Sequence, residues 1–372
     1  MNLLLAVQGE GRGHMTQALA FQQWCRRNGH QVVRVLAGHN PSRNWPDFFS
    51  QGFDVPVEPI ASPGLSYRNG RRMDLAGTLW QACRRSRAFL ASFRAFDAAL
   101  AGSRPDGIVN FLEPLAGIHH WLRRPDVPQL SIGHQFMLNH PDYPTAPGLQ
   151  LASAGVRAFS QVAAGRDGCY ALSFYSARNL PDRRIRVGPP LLREEVTQLP
   201  CSDQGYLLIY LLNAGYRPEI ERWHWRNPGI PIHCFYDRPA ADGTESMDPN
   251  LHFHPLHGGR FLQRMAECRG VVCSAGFESI AEAASMGKPI LAVPVEGHFE
   301  QQLNGIDASR SGLAVTSTTF DLDRLLQAES RPPNERFREW LMESDRRLDS
   351  ALRDAVSRRF QPARGSFQAA PG

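Results

Sequence analysis

Short apolar runs recur along the 372-residue chain, each followed by a turn and a longer amphipathic stretch. That alternation is the mark of βαβ units and parallel sheets. In the first half, residues 3–7 predict a strand, 16–27 a helix stopped at Asn28-Gly29, and 32–37 a second strand. Further strands are predicted at 107–111, 129–132, 170–174 and 185–187. Gly188-Pro189-Pro190 then breaks regular structure and reads as a domain junction. The pattern restarts at 206–212, a nearly continuous apolar run of the kind buried parallel strands show, and continues at 232–236, 270–273, 290–293 and 313–315. Beyond Arg331-Pro332-Pro333, residues 335–360 are predicted helical and 361–372 a frayed tail.

Length and composition agree with this layout. A chain of 372 residues holds two or three domains, each large enough to bury a core. With 42% hydrophobic and 21% charged residues it is a globular sequence, neither disordered nor fibrous. The seven cysteines are scattered without a CxxC pair, which points to a reducing cytoplasm and away from a disulfide framework. The apolar run at 3–7 is too short for a signal-peptide core or a bilayer span.

Two glycine-rich turns carry the candidate chemistry. Gly9-Glu10-Gly11-Arg12-Gly13-His14 lies between the first strand and a helix, where glycines admit close backbone approach and the helix end attracts an anion. The spacing is GxGxGH, not GxGxxG, and Val35-Leu36-Ala37-Gly38-His39 stands where a dinucleotide fold needs an acid. Neither a nicotinamide nor a flavin cofactor is therefore expected, and no GxxxxGK[ST] loop exists. At a helix N-terminus the dipole opposes protonation, so His14 either stays neutral and accepts a proton from a hydroxyl or simply caps the turn and packs. Gly11, Arg12 and Gly13 form a candidate phosphate or acceptor turn, with Arg12 either on an anion or solvated.

The second turn, within residues 271–289, repeats the order of strand, small residues and helix. Ser274, Ala275 and Gly276 can offer backbone N–H groups to a diphosphate, with Phe277 and Ser279 beside them. Glu278 and Glu282 are four apart on one helix face, where like charges cost a few tenths of a kcal/mol. The helix dipole accounts for Glu278 in the first turn. Glu282, among alanines beyond that turn, suits a pair of ribose hydroxyls. In the next loop, Glu300 and Gln301 either grip sugar hydroxyls or cap the following helix.

The pairing of GEGRGH with CSAGFESIAEAASMGKPILAVPVEGHFEQQLNG resembles the GT-B glycosyltransferases, in particular the branch of the lipid II-forming N-acetylglucosaminyltransferases and plant galactolipid synthases, and prokaryotic relatives with a GxGxGH turn. The likeness extends over about 340 residues and is specific in these two blocks; LEPL, with Glu113, and SIGHQ, with His134, add to it. It implies an α/β architecture of two Rossmann-like domains facing across a cleft: residues 1–188 for the acceptor, 189–333 for the nucleotide-sugar, and 334–360 crossing back. By position, Ser274 to Ser279 would line the uracil and diphosphate end, Glu282 the ribose, and Glu300 with Gln301 the donor sugar. His14 would be the acceptor-side base, with Glu113 and His134 on the same side. Relatives commonly carry two glutamines where this chain has Glu300 before Gln301. The activity implied is inverting, metal-independent transfer from a UDP-sugar to a lipid-linked or small-molecule acceptor, with no cofactor beyond the nucleotide-sugar co-substrate. A nucleotide-sugar 2-epimerase, or a non-enzymatic sugar- or polyanion-binding protein, would carry similar turns.

Other features are decoys. Asp321-Leu322-Asp323 has the form of a metal motif of another fold and reads as a helix start; His252, His254 and His257 have crude zinc spacing but read as a loop around Pro255. The net charge is only +5, yet 40 of the 41 basic residues are arginine. Without interleaved aromatics or a nucleic-acid motif this is compositional bias, and no nucleic-acid partner is expected. One group, Arg68, Arg71, Arg72, Arg84, Arg85, Arg87 and Arg94 with Asp74 as its only acid, either meets an anionic lipid surface at the inner membrane face or a phosphorylated acceptor, or is a solvated helix face.

Overall fold

The computed structural model describes residues 1–39, 45–62, 67–68, 72–73, 86–145, 148–211, 214–236, 243–328 and 334–357. The predicted tail at 361–372 lies outside these residues, as do Arg71, Arg84 and Arg85 of the basic group.

Two seven-stranded sheets organise the chain. The first contains β1 (Asn2–Val7), β2 (Gln31–His39), β3 (Val57–Ala61), β4 (Gly107–Phe111), β5 (Gln129–Gly133), β6 (Cys169–Leu172) and β7 (Ile185–Gly188), in the order β3-β2-β1-β4-β5-β6-β7. Every pairing in it is parallel. The second contains β8 (Leu207–Leu211), β9 (Ile232–Tyr236), β10 (Glu245–Asp248), β11 (Leu251–Pro255), β12 (Gly270–Cys273), β13 (Ile290–Ala292) and β14 (Val315–Thr316), in the order β10-β11-β9-β8-β12-β13-β14. Only β10 runs antiparallel to its neighbour. The helices are α1 (Arg12–Arg27), α2 (Asp47–Ser50), α3 (Ser86–Ser103), α4 (Pro114–Arg123), α5 (Gln150–Ala164) and α6 (Glu194–Gln198), then α7 (Arg217–Arg226), α8 (Gly258–Glu267), α9 (Phe277–Ser285), α10 (Phe299–Arg310), α11 (Asp323–Ala328), α12 (Glu335–Met342) and α13 (Ser344–Ser357).

The central strands are apolar on both faces because helices cover both faces of each sheet. Leu3 to Val7 in β1 and Leu207 to Ile209 in β8 are all fully buried, each leucine stabilising the fold by roughly 1.5–3 kcal/mol. Strand order reverses between β1 and β4 in the first sheet and between β8 and β12 in the second. Such switch points leave a crevice at the carboxyl ends of the strands, where open α/β sheets bind ligands. After β14 the chain returns to the first sheet: Trp340 Nε1 donates to Ser173 O at 2.9 Å, and α13 packs on β5 and β7.

Several elements differ from the sequence reading. Helix α1 starts at Arg12, so Arg12, Gly13 and His14 already belong to its first turn. The stretch predicted helical at 335–360 is helical over its described residues, in two pieces, α12 and α13, that meet at Glu343. His252 and His254 lie in strand β11, with Pro255 at its end, and not in a loop. Strand β3 was not anticipated: it is a short edge strand containing Pro59, a position where proline removes no obligatory ladder bond.

Candidate functional site

The first glycine turn is shaped by close backbone approach. A Cβ on Gly9 would lie 1.7 Å from Gly38 O, and one on Gly38 would lie 2.7 Å from Glu113 Oε2. The turn therefore presses against the end of β2 and delivers the chain into α1, whose N-cap Gly11 supplies no side-chain cap and whose first turn holds no acid. The positive end of the α1 dipole at this turn favours an anion.

His14 is buried between two glutamines. Its Nδ1 is 3.3 Å from Gln17 Oε1, and its Nε2 is 3.5 Å from Gln135 Nε2. Each glutamine also reaches the second domain: Gln17 Nε2 donates to Glu278 Oε1 at 2.6 Å, and Gln135 Nε2 to Glu300 Oε1 at 2.9 Å. With the Gln17 amide nitrogen turned to Glu278, its oxygen faces His14, which assigns the imidazole proton to Nδ1 and leaves the lone pair on Nε2. Burial lowers the His14 pKa, and Glu300 and Gln17 only partly oppose that shift.

Across from it, β12 ends in Ser274-Ala275-Gly276 and α9 begins at Phe277. Ala275 is held at φ 54°, a left-handed backbone that costs a non-glycine residue of order 1–3 kcal/mol and recurs at functional turns. Asn304 Nδ2 donates to Ala275 O at 3.2 Å and steadies the turn. Gly276 provides no side-chain cap, so this helix end too is open. Buried polar atoms without a protein partner gather near the cleft: Ser274 Oγ, Glu278 Oε2, Gln135 Oε1 and Glu113 Oε2. Burial pushes the Glu278 carboxyl up to about 8, with Gln17 working against the shift. Ser279 is half-buried behind Gly276.

The remaining expected residues fall in different places. Glu282 is buried and paired with Arg193, whose Nε and Nη2 lie 3.0 and 2.5 Å from Oε1. Gln301 Oε1 accepts from Val295 N at 2.9 Å, leaving its Nε2 for other contacts, and His298, not Glu300 or Gln301, caps α10. Two acceptor-side expectations are corrected. His134 is 2% exposed, stacked on Phe277 at 3.9 Å between ring centres, with Nδ1 on Leu172 O and Nε2 on Tyr143 Oη, so it joins the domains and presents no free nitrogen. Glu113 is fully buried, caps α4 through Leu115 N at 3.0 Å and accepts from Ser62 Oγ at 2.9 Å; it backs the glycine turn and touches no surface. Of the basic group, Arg87 and Arg94 are exposed on α3, and the other side chains lie outside the described residues.

Sequence reasoning missed Gln17, Gln135 and Arg193. Gln135 closes the quoted SIGHQ motif, in which His134 was chosen instead, and Arg193 follows the predicted junction, but polar residues in an amphipathic helix such as α1 give no signal for Gln17.

The histidines in and beside strand β11 are engaged by other groups. His252 is engaged by Ser246 Oγ and Pro249 O, His254 by Thr244 Oγ1 and His233, and His257 caps α8. Among the described residues no group of three His, Cys, Asp or Glu is placed to hold an ion. Asp323 opens α11, as the helix-start reading expects. A cavity of about 830 Å³ elsewhere, with Asp307, Arg310, Trp340 and Arg347 in its wall, includes none of the residues around His14. Among the described residues no helix is long and apolar enough to cross a membrane.

The family pattern of glycosyl transferase family 1 matches residues 1–329. The chain belongs to this family. It is similar to the UDP-N-acetylglucosamine--N-acetylmuramyl-(pentapeptide) pyrophosphoryl-undecaprenol N-acetylglucosamine transferase of Methylorubrum populi, with 25% identity over 358 residues, 87% of this chain and 86% of the relative. Among solved structures it is similar to the calicheamicin glycosyltransferase CalG4 (TM-score 0.60, 16% identity, 97% of this chain and 99% of that one). It also matches Arabidopsis thaliana UGT89C1 complexed with quercetin (TM-score 0.62, 16% identity, 95% and 99%). This family 1 glycosyltransferase thus has the GT-B fold, its two switch points meeting at His14 and Glu278.

Proposed function

We propose that this glycosyltransferase moves a sugar from a UDP-sugar to an acceptor hydroxyl with inversion and without a metal. The observation that carries the reading is the position of His14, neutral and buried, between two glutamines that each bond a glutamate side chain of the opposite domain. The Nε2 lone pair, which meets only the long 3.5 Å contact of the Gln135 amide, takes the acceptor proton as the hydroxyl oxygen bonds to the anomeric carbon and the diphosphate departs from the other face. The uncapped end of α9 and the N–H groups of the Ser274–Gly276 turn offset the charge that grows on the leaving group, a role for which no metal is needed.

In this reading Glu282, fixed through Oε1 by Arg193, offers Oε2 to the ribose hydroxyls, and Glu300 takes the donor sugar with Gln301 shaping its loop. A UDP donor is supported by the named donor of the Methylorubrum populi relative, whose acceptor is lipid-linked. A lipid-linked acceptor would place the chain against a membrane, and exposed Leu90, Arg87 and Arg94 on α3, with exposed Trp121 and Leu122 on α4, suit that contact.

The test is transfer from UDP-sugars to candidate acceptors by wild type and His14→Ala. Loss of transfer with UDP binding retained is the expected result. A fully active variant removes His14 from the mechanism, and failure of every nucleotide-sugar to bind removes the donor assignment.

A further inference from the structure

Glu278 stands in the first turn of α9, on the uncapped helix end that follows Ser274–Gly276. Its Oε1 accepts the Gln17 amide at 2.6 Å. Oε2 has no protein partner although the residue is only 9% exposed, and Ser274 Oγ, on the same turn, is also buried and unpartnered. An ionised carboxylate at that helix end would repel a diphosphate, whereas a neutral carboxyl presents one O–H donor and still accepts the Gln17 proton on its other oxygen. Resting on the donor reading above, we propose that Glu278 acts as a neutral acid whose Oε2–H binds a phosphate oxygen of the nucleoside diphosphate, with Ser274 Oγ as a companion donor.

The surroundings favour the neutral form. Burial is the dominant influence and holds the carboxyl at about 8, with Glu282 pushing the same way and Gln17 and Arg193 opposing. From the other packed elements, α1 brings His14, which is held neutral, and α10 brings Glu300, which is turned to Gln135. In α6, Glu194 is engaged by Arg27 and Glu195 by Gln23. From α12, Arg338 lies by Gly287, beyond the far end of α9. A carboxylate in this position would therefore be an obstacle to the ligand, while the acid contributes a contact that depends on pH.

Calorimetric titration with UDP, GDP and dTDP between pH 6 and 9, on wild type, E278Q and E278L, tests this. E278Q keeps a neutral donor and should match wild type within about threefold at pH 6. Above pH 8 wild type should lose affinity relative to E278Q by roughly tenfold per pH unit; taking the ratio at each pH cancels the titration of the nucleotide itself. E278L, neutral but without a donor, should bind at least tenfold more weakly than wild type at pH 6, and it supplies the reference if E278Q does not fold. A wild-type to variant ratio constant from pH 6 to 9, or E278L equal to wild type at pH 6, overturns the role of Glu278 while leaving the donor reading intact. No binding of any of the three nucleotides by wild type overturns both.

Discussion

Gln17 and Glu278, 261 residues apart in sequence, meet across the domain boundary at 2.6 Å, and the same Gln17 side chain orients the imidazole of His14 through its oxygen. One amide therefore links the closure of the domains to the tautomer of the histidine. Gln17→Leu removes both contacts. We expect turnover to fall at least tenfold and stability by about 1–3 kcal/mol, the usual cost of leaving a buried acceptor unsatisfied. Steady-state kinetics and denaturant unfolding check the two effects separately.

The direction of the His14 shift sets the acid limb of the rate profile. A base must be unprotonated, and burial holds the His14 pKa below its ordinary value of 6.5. Activity should stay level as pH falls through 6.5 and decline only below it. Glu300 is the group that pulls His14 back up, so Glu300→Gln should move this limb further toward acid. A limb at or above 6.5 in the wild type contradicts the assignment.

Glu113 controls stability in the opposite range. Its ordinary value is 4.5, and burial raises it to about 8 in the folded protein. Below 4.5 both states are protonated and the stabilisation is fully present. As pH rises the unfolded chain ionises first, so stability drains away up to about 8, by at most roughly 5 kcal/mol. Melting temperatures measured from pH 5 to 8 should fall, and Glu113→Gln, which keeps the acceptor for Ser62 and Leu115, should flatten the decline.

Arg193 and Glu282 form a buried pair, with side-chain exposures of 14% and 5%. Removing only the arginine strands a carboxylate, at a cost of about 3–5 kcal/mol. The double variant Arg193→Leu with Glu282→Leu should recover most of that loss of stability without recovering nucleotide binding. Additive losses in a double-mutant cycle would show that the pair does not act as a unit.

The central strands could be read because they are apolar without interruption, and both glycine turns because small residues between a strand and a helix have few other uses. Strand β3 and the β10–β11 edge could not, since their short mixed sequences differ little from loops. At the site, SIGHQ pointed to His134, and the structure exchanges the neighbours: a 3-10 turn at 134–139 buries the histidine under Phe277 and directs Gln135 to His14 and Glu300. Nothing local distinguishes these two outcomes. The choice depends on where the second domain brings Phe277 and Glu300, which is information spread over the whole chain.

The second domain meets the first beside the cleft through Gln17 on Glu278, Gln135 on Glu300 and the ring of His134 on Phe277, and the returning chain is held by Trp340 on Ser173. The side chains that would greet a ligand are thus also the ones that seal the two halves together. A ligand that draws either glutamine away from its acid loosens that seal, so filling the cleft and parting the domains compete for the same few bonds.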